Sequence, residues 1–502
     1  MMKRFKNPIL NKLQNDNRFK ELLSLSAANG RRDFLKQAAV LAGGTMVSAS
    51  LFSSCKQSKS TEIAVVGGGL AGLYTLYLLE QQGFKATLFE ADNRIGGRVR
   101  SVLDPDFSDG VIEMGGTFID SEHNTMLDLI DKLGLSLIDL HTDDLDTDVF
   151  EIDGQQFTYE MLADEVYQHA GAQFLIDMSL LPEYIESGNV HLWRLYDSIS
   201  LSTYLAALKL KPWFVKLIKT AFEAEFGMSA NKQSAMNFMS LFNPEEEGFE
   251  VFGDHDKRFV IKGGNELLVQ KLAENCKSPI RLNQRLIETK KEGDKLFLTF
   301  ENEGKKVTHT FNYVVFALPY ANLRNVAMGI PLSEVRTQAI QQLGYGQKST
   351  IYLSFHDATW RNYNATGNVL TNNAGFMHAW DATRLQQVSK PVLALSTIGN
   401  VEIDAELALE KLENYYPGCK LAFTGKSIKN QVLPLEYCYS VYSIGQWTAF
   451  YGSESVDEGN IFFAGEHVSR VFQGSMNGAL DSARIAANAL ISKIKDEGNS
   501  LS

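Results

Sequence analysis

Glu62-Ile63-Ala64-Val65-Val66-Gly67-Gly68-Gly69-Leu70-Ala71-Gly72 is the stretch on which the fold turns. A short apolar run of the kind buried in a parallel sheet leads straight into G-x-G-x-x-G. A helical pattern then continues to about Gln82. Gly67 permits a tight turn, Gly69 lets the backbone approach a pyrophosphate, and Gly72 lets helix and strand pack closely. Leu70 and Ala71 open the helix, whose unpaired N–H groups would face the phosphate charge. Residues 86–90 read as a second strand. Glu90 ends it, 23 residues after Gly67 and next to Ala91, where a carboxylate can accept from both hydroxyls of a ribose. Glycines alone are a weak signal. Strand, glycines, helix, strand and acid in this order make a strong one for an α/β dinucleotide-binding unit.

Outward from this unit the pattern stays mixed. Residues 120–254 read as mostly helical, with an amphipathic stretch over 196–226. Strands are expected over 296–300, 313–317, 350–355, 393–397 and 461–464, and a closing helix over 477–494. The acid-rich stretch 139–148 reads as a solvated loop. No internal repeat or low-complexity tract interrupts the chain. At 502 residues it exceeds one ordinary domain, so two domains are expected. Hydrophobic content of 44% and charged content of 22% are those of a soluble globular protein. The formal charge of −12 argues against nucleic acid as the main partner. No apolar run in the body of the chain is long enough to span a bilayer. Cys55, Cys276, Cys419 and Cys438 are spaced too irregularly for a disulfide framework or a zinc site, and no metal is expected.

The first 55 residues differ from the rest. They hold nine Lys/Arg against three Asp/Glu, a net of +6, which leaves −18 for the remainder. Arg31-Arg32-Asp33-Phe34-Leu35-Lys36 precedes a mildly apolar stretch rich in Ala, Gly and Ser. This resembles the twin-arginine signal of the export route for folded proteins, the bland alternative being an amphipathic first helix. The expected location is therefore periplasmic, or outward-facing on a membrane. Phe52-Ser53-Ser54-Cys55 loosely resembles a lipoprotein cleavage site, with Cys55 either lipidated as a membrane anchor or left as a linker thiol.

Further motifs decide which dinucleotide is bound. Arg94-Ile95-Gly96-Gly97-Arg98 follows the second strand, then Glu113-Met114-Gly115-Gly116. Ile261-Lys262-Gly263-Gly264-Asn265 and Val314-Val315-Phe316-Ala317-Leu318-Pro319 come later. Phe463-Ala464-Gly465-Glu466-His467 and Gly474-Ser475-Met476-Asn477-Gly478-Ala479 close the set. Together, from about residue 62 to 490, they resemble the flavin-containing amine oxidases: monoamine, polyamine and L-amino acid oxidases. The resemblance implies a glutathione-reductase-like, FAD-binding Rossmann domain of the α/β class with a second, mixed sheet-and-helix substrate domain. The FAD domain would comprise 56–135, 255–335 and 430–497, the substrate domain 136–254 and 336–429, and 1–55 the signal segment. Gly97 and Arg98 would lie along pyrophosphate and flavin, and Leu286 would present its backbone to the adenine. Glu466 would bond the ribityl or pyrophosphate region. Met476 would begin a helix whose N-terminus faces the flavin N1–C2=O edge. Gly115, Gly116, Thr117, Gly465 and Ser475 complete the cofactor-contacting set. His467 belongs to the flavin motif.

The implied activity is oxidation of the C–N bond of a small-molecule amine or amino acid, by hydride transfer to flavin N5 followed by hydrolysis of the imine. The electrons would pass to O2, a quinone or a carrier. Three departures bear on the catalytic residues. The family's lysine near N5 falls on Lys348 counted from Leu343-Gly344, or on Thr350 counted back from Trp360. Tyr439 matches one wall of an aromatic cage, but Ser475 replaces the other; Tyr437, Tyr442 and Trp447 are nearby candidates or core. Thr117-Phe118-Ile119-Asp120 lacks the arginine with which L-amino acid oxidases often clamp a carboxylate. Asp120 would either attract a cationic amine or cap a helix over 121–133. Cys438 stands where monoamine oxidases attach flavin covalently, or is a buried inert thiol. Rival readings are a quinone- or carrier-linked dehydrogenase, an FAD desaturase or protoporphyrinogen-oxidase-like enzyme, and a flavin-binding protein with lost catalysis.

Overall fold

The sheet that begins at Ile63–Val66 is parallel throughout, as its unbroken apolar runs require. In this computed structural model, Ile63–Val66 lies between Ala86–Phe89 and Tyr313–Phe316. Ile461–Phe463 and Ile280–Arg281 form the two edges. The structure describes residues 61–170, 174, 190–241, 251–252, 255–373, 375–429, 437–452 and 457–500. The twin-arginine and Cys55 segments lie outside them. Helices Leu70–Gln81 and Met476–Ser500 cover one face, burying Leu73, Leu76, Leu480 and Ala483 completely against Val65, Leu88 and Phe462. The expected strands and closing helix are present, with bounds differing by a few residues.

Two further large sheets, and two of two strands each, accompany it in a mixed α/β architecture. Four strands (Arg285–Glu292, Lys295–Asn302, Lys305–Phe311 and Ala327–Gly329) pack Leu286, Phe300 and Phe311 against Phe89. A seven-stranded sheet runs from Phe423–Lys429 through Lys348–Phe355, Val392–Ile398, His378–Asp381 and Ala365–Thr371 to Thr147–Ile152 and Gln155–Phe157. Among the described residues no helix is long and apolar enough to cross a membrane.

The stretch 120–254 departs from expectation. It contributes the strands Leu137–Asp139, Thr147–Ile152 and Gln155–Phe157 as well as helices. Several acids within it are partnered: the Arg258 guanidinium bonds Asp139 at 2.8 Å, and Asp148 accepts from the Thr366 hydroxyl. Pairing with Ala365–Thr371 takes only Thr147 and Asp148 of the acid-rich stretch into a strand, while 143–146 stay outside regular structure as expected of a loop. The amphipathic stretch divides into Val190–Asp197, Leu201–Ala207 and Pro212–Phe226. Ser200 caps the second helix by accepting from the Thr203 N–H, and Pro212 starts the third at N1. Gly227, at φ +65°, ends that helix in the left-handed conformation.

Candidate active site

The parallel sheet, its crossover helix and the seven-stranded sheet surround one cavity of ≈1390 Å³. Pockets for drug-sized ligands run about 300–1,000 Å³, so this one has room for a long cofactor together with a small substrate. Gly67, at φ +112°, makes a turn closed to a side chain, since a Cβ would lie 2.5 Å from the Ala317 carbonyl oxygen. A Cβ on Gly72 would lie 1.8 Å from the Gly67 carbonyl oxygen, which is the helix–strand contact the motif demands. At Gly69 a Cβ would meet only the Gly96 oxygen, 3.9 Å away, so the helix N-terminus is open to the cavity. This open glycine cradle, with Leu70 and Ala71 behind it, suits a pyrophosphate.

Glu90 and Ala91 line the same cavity. One Glu90 oxygen accepts from the Gly68 N–H (2.5 Å) and the other from the Asp92 N–H (2.8 Å), which fixes the carboxylate's direction. Burial raises its pKa despite these donors. Leu286 is buried at the cavity wall, beside a bulge in its strand. Gly97, Arg98, Gly115, Gly116, Thr117, Gly465 and Met476 line it as well. Asn265 holds their loop by donating to the carbonyls of Gly116 (2.9 Å) and Thr117 (2.7 Å), while Glu113 accepts from the Asn265 N–H. Neither Asn265 nor Glu113 was expected as a brace, although both sit in the quoted motifs.

Arg98 donates to Glu466 at 2.6 Å and to the Cys438 carbonyl at 2.9 Å. Glu466 also accepts from the Ser440 hydroxyl and from the N–H groups of Ser440 and Gly474. Burial alone would raise its pKa; Arg98 and these donors outweigh that and lower it. Within the protein Glu466 therefore braces three segments, and the expected bond to the cofactor would add to this set. Ser475 is the N-cap of the closing helix, accepting from the Gly478 N–H at 2.9 Å and donating to the Phe472 carbonyl at 2.8 Å. That is the local reason for a serine where the cage aromatic would stand. His467 is pushed down to about 3 by burial and packs edge-on against Tyr320. Among the described residues no group of His, Cys, Asp and Glu could hold a metal ion.

Lys348 opens the strand Lys348–Phe355 and reaches into the cavity, as does Thr350. Its Nζ donates to the Tyr439 hydroxyl at 2.9 Å and stands 5.1 Å from that ring's centroid. It is half-buried, and burial lowers its pKa against the opposing pull of Glu225. Burial likewise raises the Tyr439 hydroxyl well above its usual range. Tyr442 and Trp447 belong to the core, with the Trp447 ring N–H bonded to Asn237. Tyr437 packs on Tyr345. Cys438 also lines the cavity, its thiol pKa raised by burial.

Asp120 is not a helix cap. Residues 121–123 form a turn and the helix begins later, as Asn124–Lys132, with His123 at its N-cap position. Asp120 instead accepts from the Lys257 N–H (2.8 Å) and faces the cavity. Glu225, His255, Lys257, His378 and Trp380 share that wall and were not anticipated from the sequence. Glu225 joins His255 Nδ1 (2.9 Å) and Lys257 Nζ (3.0 Å); burial pushes its carboxyl up, but Lys257, His255 and Lys348 together outweigh it and hold the pKa well below the usual range.

The family model for flavin containing amine oxidoreductases matches residues 70–491. An L-amino-acid oxidase of Demansia vestigiata is 21% identical over 455 residues, covering 82% of this chain and 83% of that protein. Polyamine oxidase 3 of Oryza sativa subsp. japonica is 23% identical over 461 residues, covering 86% and 89%. In fold, putrescine oxidase bound to putrescine superposes with a TM-score of 0.75 at 17% identity, over 86% of this chain and 99% of that one. Cyclohexylamine oxidase from Brevibacterium oxydans IH-35A gives 0.73 at 18% identity, over 87% and 100%. With a cavity that suits a dinucleotide and a family model spanning most of its length, the chain belongs to the flavin-containing amine oxidoreductases and is an FAD-dependent oxidoreductase of the amine oxidase type.

Proposed function

We propose that this protein oxidises the C–N bond of a small amine or amino acid, and that the imine formed is then hydrolysed by water. The observation that carries the reading is that the Lys348–Tyr439 pair and the glycine cradle line one cavity. Bound FAD would supply the two-electron acceptor, with N5 taking the hydride. Gly67, Gly69, Glu90, Gly97, Arg98, Leu286 and Met476 would hold it. Tyr439 supplies a flat wall that orients the substrate's amine-bearing carbon. Lys348, with its lowered pKa, holds and releases a proton at Nζ beside that wall. Lys348, Tyr439 and Glu225 are half-buried, so charge placement counts for more than it would at the open surface.

The glutathione-reductase-like description and the division into two domains belong to the same proposal. Every strand of the parallel sheet lies within 56–135, 255–335 or 430–497, and every strand of the seven-stranded sheet within 136–254 or 336–429, which supports it. Electrons would leave to O2, a quinone or a carrier. We place the mature protein outside the cytoplasm, exported folded around its flavin, with Cys55 as its lipid tether. Anaerobic titration with a panel of amines and amino acids tests the chemistry. Bleaching of the flavin absorption by at least one member supports the reading. A flavin that dithionite reduces but no member of the panel reduces would sink it.

A further inference from the structure

One part of the cavity wall pairs its carboxylates with protein donors and leaves ammonium N–H groups uncommitted. Glu225 commits one carboxylate oxygen to Lys257 Nζ at 3.0 Å and the other to His255 Nδ1 at 2.9 Å. Asp120 commits Oδ1 to the Lys257 N–H at 2.8 Å, and its Oδ2 lies 3.3 Å from His123 Nε2. Both carboxylates are therefore partnered by the protein itself. Each ammonium carries three donors. Lys257 Nζ directs one to Glu225 and rests 3.5 Å from the Phe252 ring centroid; Lys348 Nζ directs one to Tyr439. Among the described residues each ammonium keeps uncommitted N–H groups, and both line the cavity. Burial is the main cause that holds His378 well below its usual pKa, with Lys257 and Lys348 adding to it and Glu225 opposing. A carboxylate entering here would meet the uncommitted N–H groups of Lys257 and Lys348.

The neighbouring wall is a ladder of flat rings. His378 stacks on Trp380 at 5.2 Å and Trp380 meets Phe118 edge-on at 6.4 Å, all three lining the cavity, while Phe252 backs His378 with centroids 5.1 Å apart. Such a wall buries flat apolar groups. A second ammonium on the substrate would find Glu225 and Asp120 already engaged, and would be repelled by Lys257 and Lys348.

We infer that the substrate carries a carboxylate beside its amine, that Lys257 with His255 anchors this carboxylate, and that the ring ladder takes a flat apolar side chain. The inference rests on the amine-oxidation reading above and narrows it to amino acids of this kind. Lys257 takes the place of the arginine missing from 117–120, and Glu225 is the positioning residue that sets its direction.

Three probes sharing one side chain test this on the holoenzyme. L-Phenylalanine has both groups, 2-phenylethylamine lacks the carboxylate, and 3-phenylpropanoate lacks the amine. The expected result is a kcat/KM for L-phenylalanine at least about tenfold above that for 2-phenylethylamine. Calorimetry should show 3-phenylpropanoate binding to wild type and about tenfold more weakly to Lys257→Gln, with Lys257→Arg restoring part of the loss. A preference for 2-phenylethylamine overturns the inference and leaves amine oxidation standing. So does 3-phenylpropanoate binding that is absent, or equal in wild type and Lys257→Gln. If neither amine bleaches the flavin, the amine-oxidation reading is what suffers, and the calorimetric comparison still decides the anchor. The wild-type comparison stands even if the Lys257 variants fail to fold.

Discussion

Arg98 and Glu466 stand 368 residues apart in the chain and 2.6 Å apart in space. The pair ties the segment after the second strand to the one before the closing helix, and Glu466 adds Ser440 and Gly474 to the same knot. A single buried carboxylate thereby fixes the relative position of three segments that line the cavity.

Removing one member of such a pair leaves the other buried without a counter-charge. Glu466→Ala should cost roughly 3–5 kcal/mol, the range for breaking a buried ion pair. Adding Arg98→Met should restore part of this, because the stranded guanidinium disappears. Chemical denaturation of the two single variants and the double variant measures the coupling. Additive losses would mean that the two residues act independently.

Glu113 gives a pH signature. Burial raises its pKa to about 7, against the opposing bonds from Asn265 and Ser101. The folded state therefore holds this proton more tightly than the unfolded chain, whose carboxyl titrates near 4.5. The resulting stability is complete below about pH 4.5 and is lost as pH rises through about 7. At 1.36 kcal/mol per pKa unit it amounts to about 3 kcal/mol at most. Glu113→Gln should flatten the stability profile across that window. An unchanged slope in the variant would assign the pH dependence to other groups.

What could be read from the sequence was what local spacing dictates. Gly67, Gly72 and Glu90 stand at offsets forced by one strand–turn–helix–strand unit, so their roles follow from chain geometry alone. Counting from Leu343-Gly344 and from Trp360 gives Lys348 and Thr350, and both lie on the strand Lys348–Phe355 and line the cavity. Glu225 could not be located in this way. On the sequence it is one more polar residue in an amphipathic helix, and its partners His255 and Lys257 lie 30 and 32 residues on. The strand Thr147–Ile152 was hidden for a similar reason. Its acids look solvated until Thr366 and Asn368 arrive from more than two hundred residues away to bond Asp148. Ser475 lines the cavity where the second cage wall would stand, and its hydroxyl also caps the closing helix, a bond the sequence did not show.

Cys438 lies in the cavity wall, but burial keeps its thiol protonated, and only the thiolate is a good nucleophile. Acid precipitation of the holoprotein should therefore release the flavin into the supernatant. A yellow pellet, losing its colour in Cys438→Ala, would establish a covalent link.

Export is tested at Arg31-Arg32. Changing both to lysine keeps the charge and removes the paired planar guanidinium groups. Extracytoplasmic yield of folded, flavin-loaded protein should fall sharply, with the protein retained inside the cell. Equal yield would mean a different route, or none.

The Lys348–Tyr439 bond makes the sharpest prediction about the site. Tyr439 offers Lys348 both a ring face at 5.1 Å and a hydroxyl acceptor at 2.9 Å. Tyr439→Phe removes only the acceptor, and a hydrogen bond to a charged group contributes about 1.5–3 kcal/mol. Losing that partner disfavours the charged ammonium, so the Lys348 pKa, already lowered by burial, should fall further. In the pH profile of flavin reduction, the limb governed by Lys348 should move to lower pH in Tyr439→Phe and vanish in Lys348→Met. Tyr439→Ala loses the wall as well, so its rate should fall well below that of Tyr439→Phe at every pH. If the two Tyr439 variants show equal, small losses and an unmoved limb, Tyr439 is a packing residue and its hydroxyl has no part in setting the charge of Lys348.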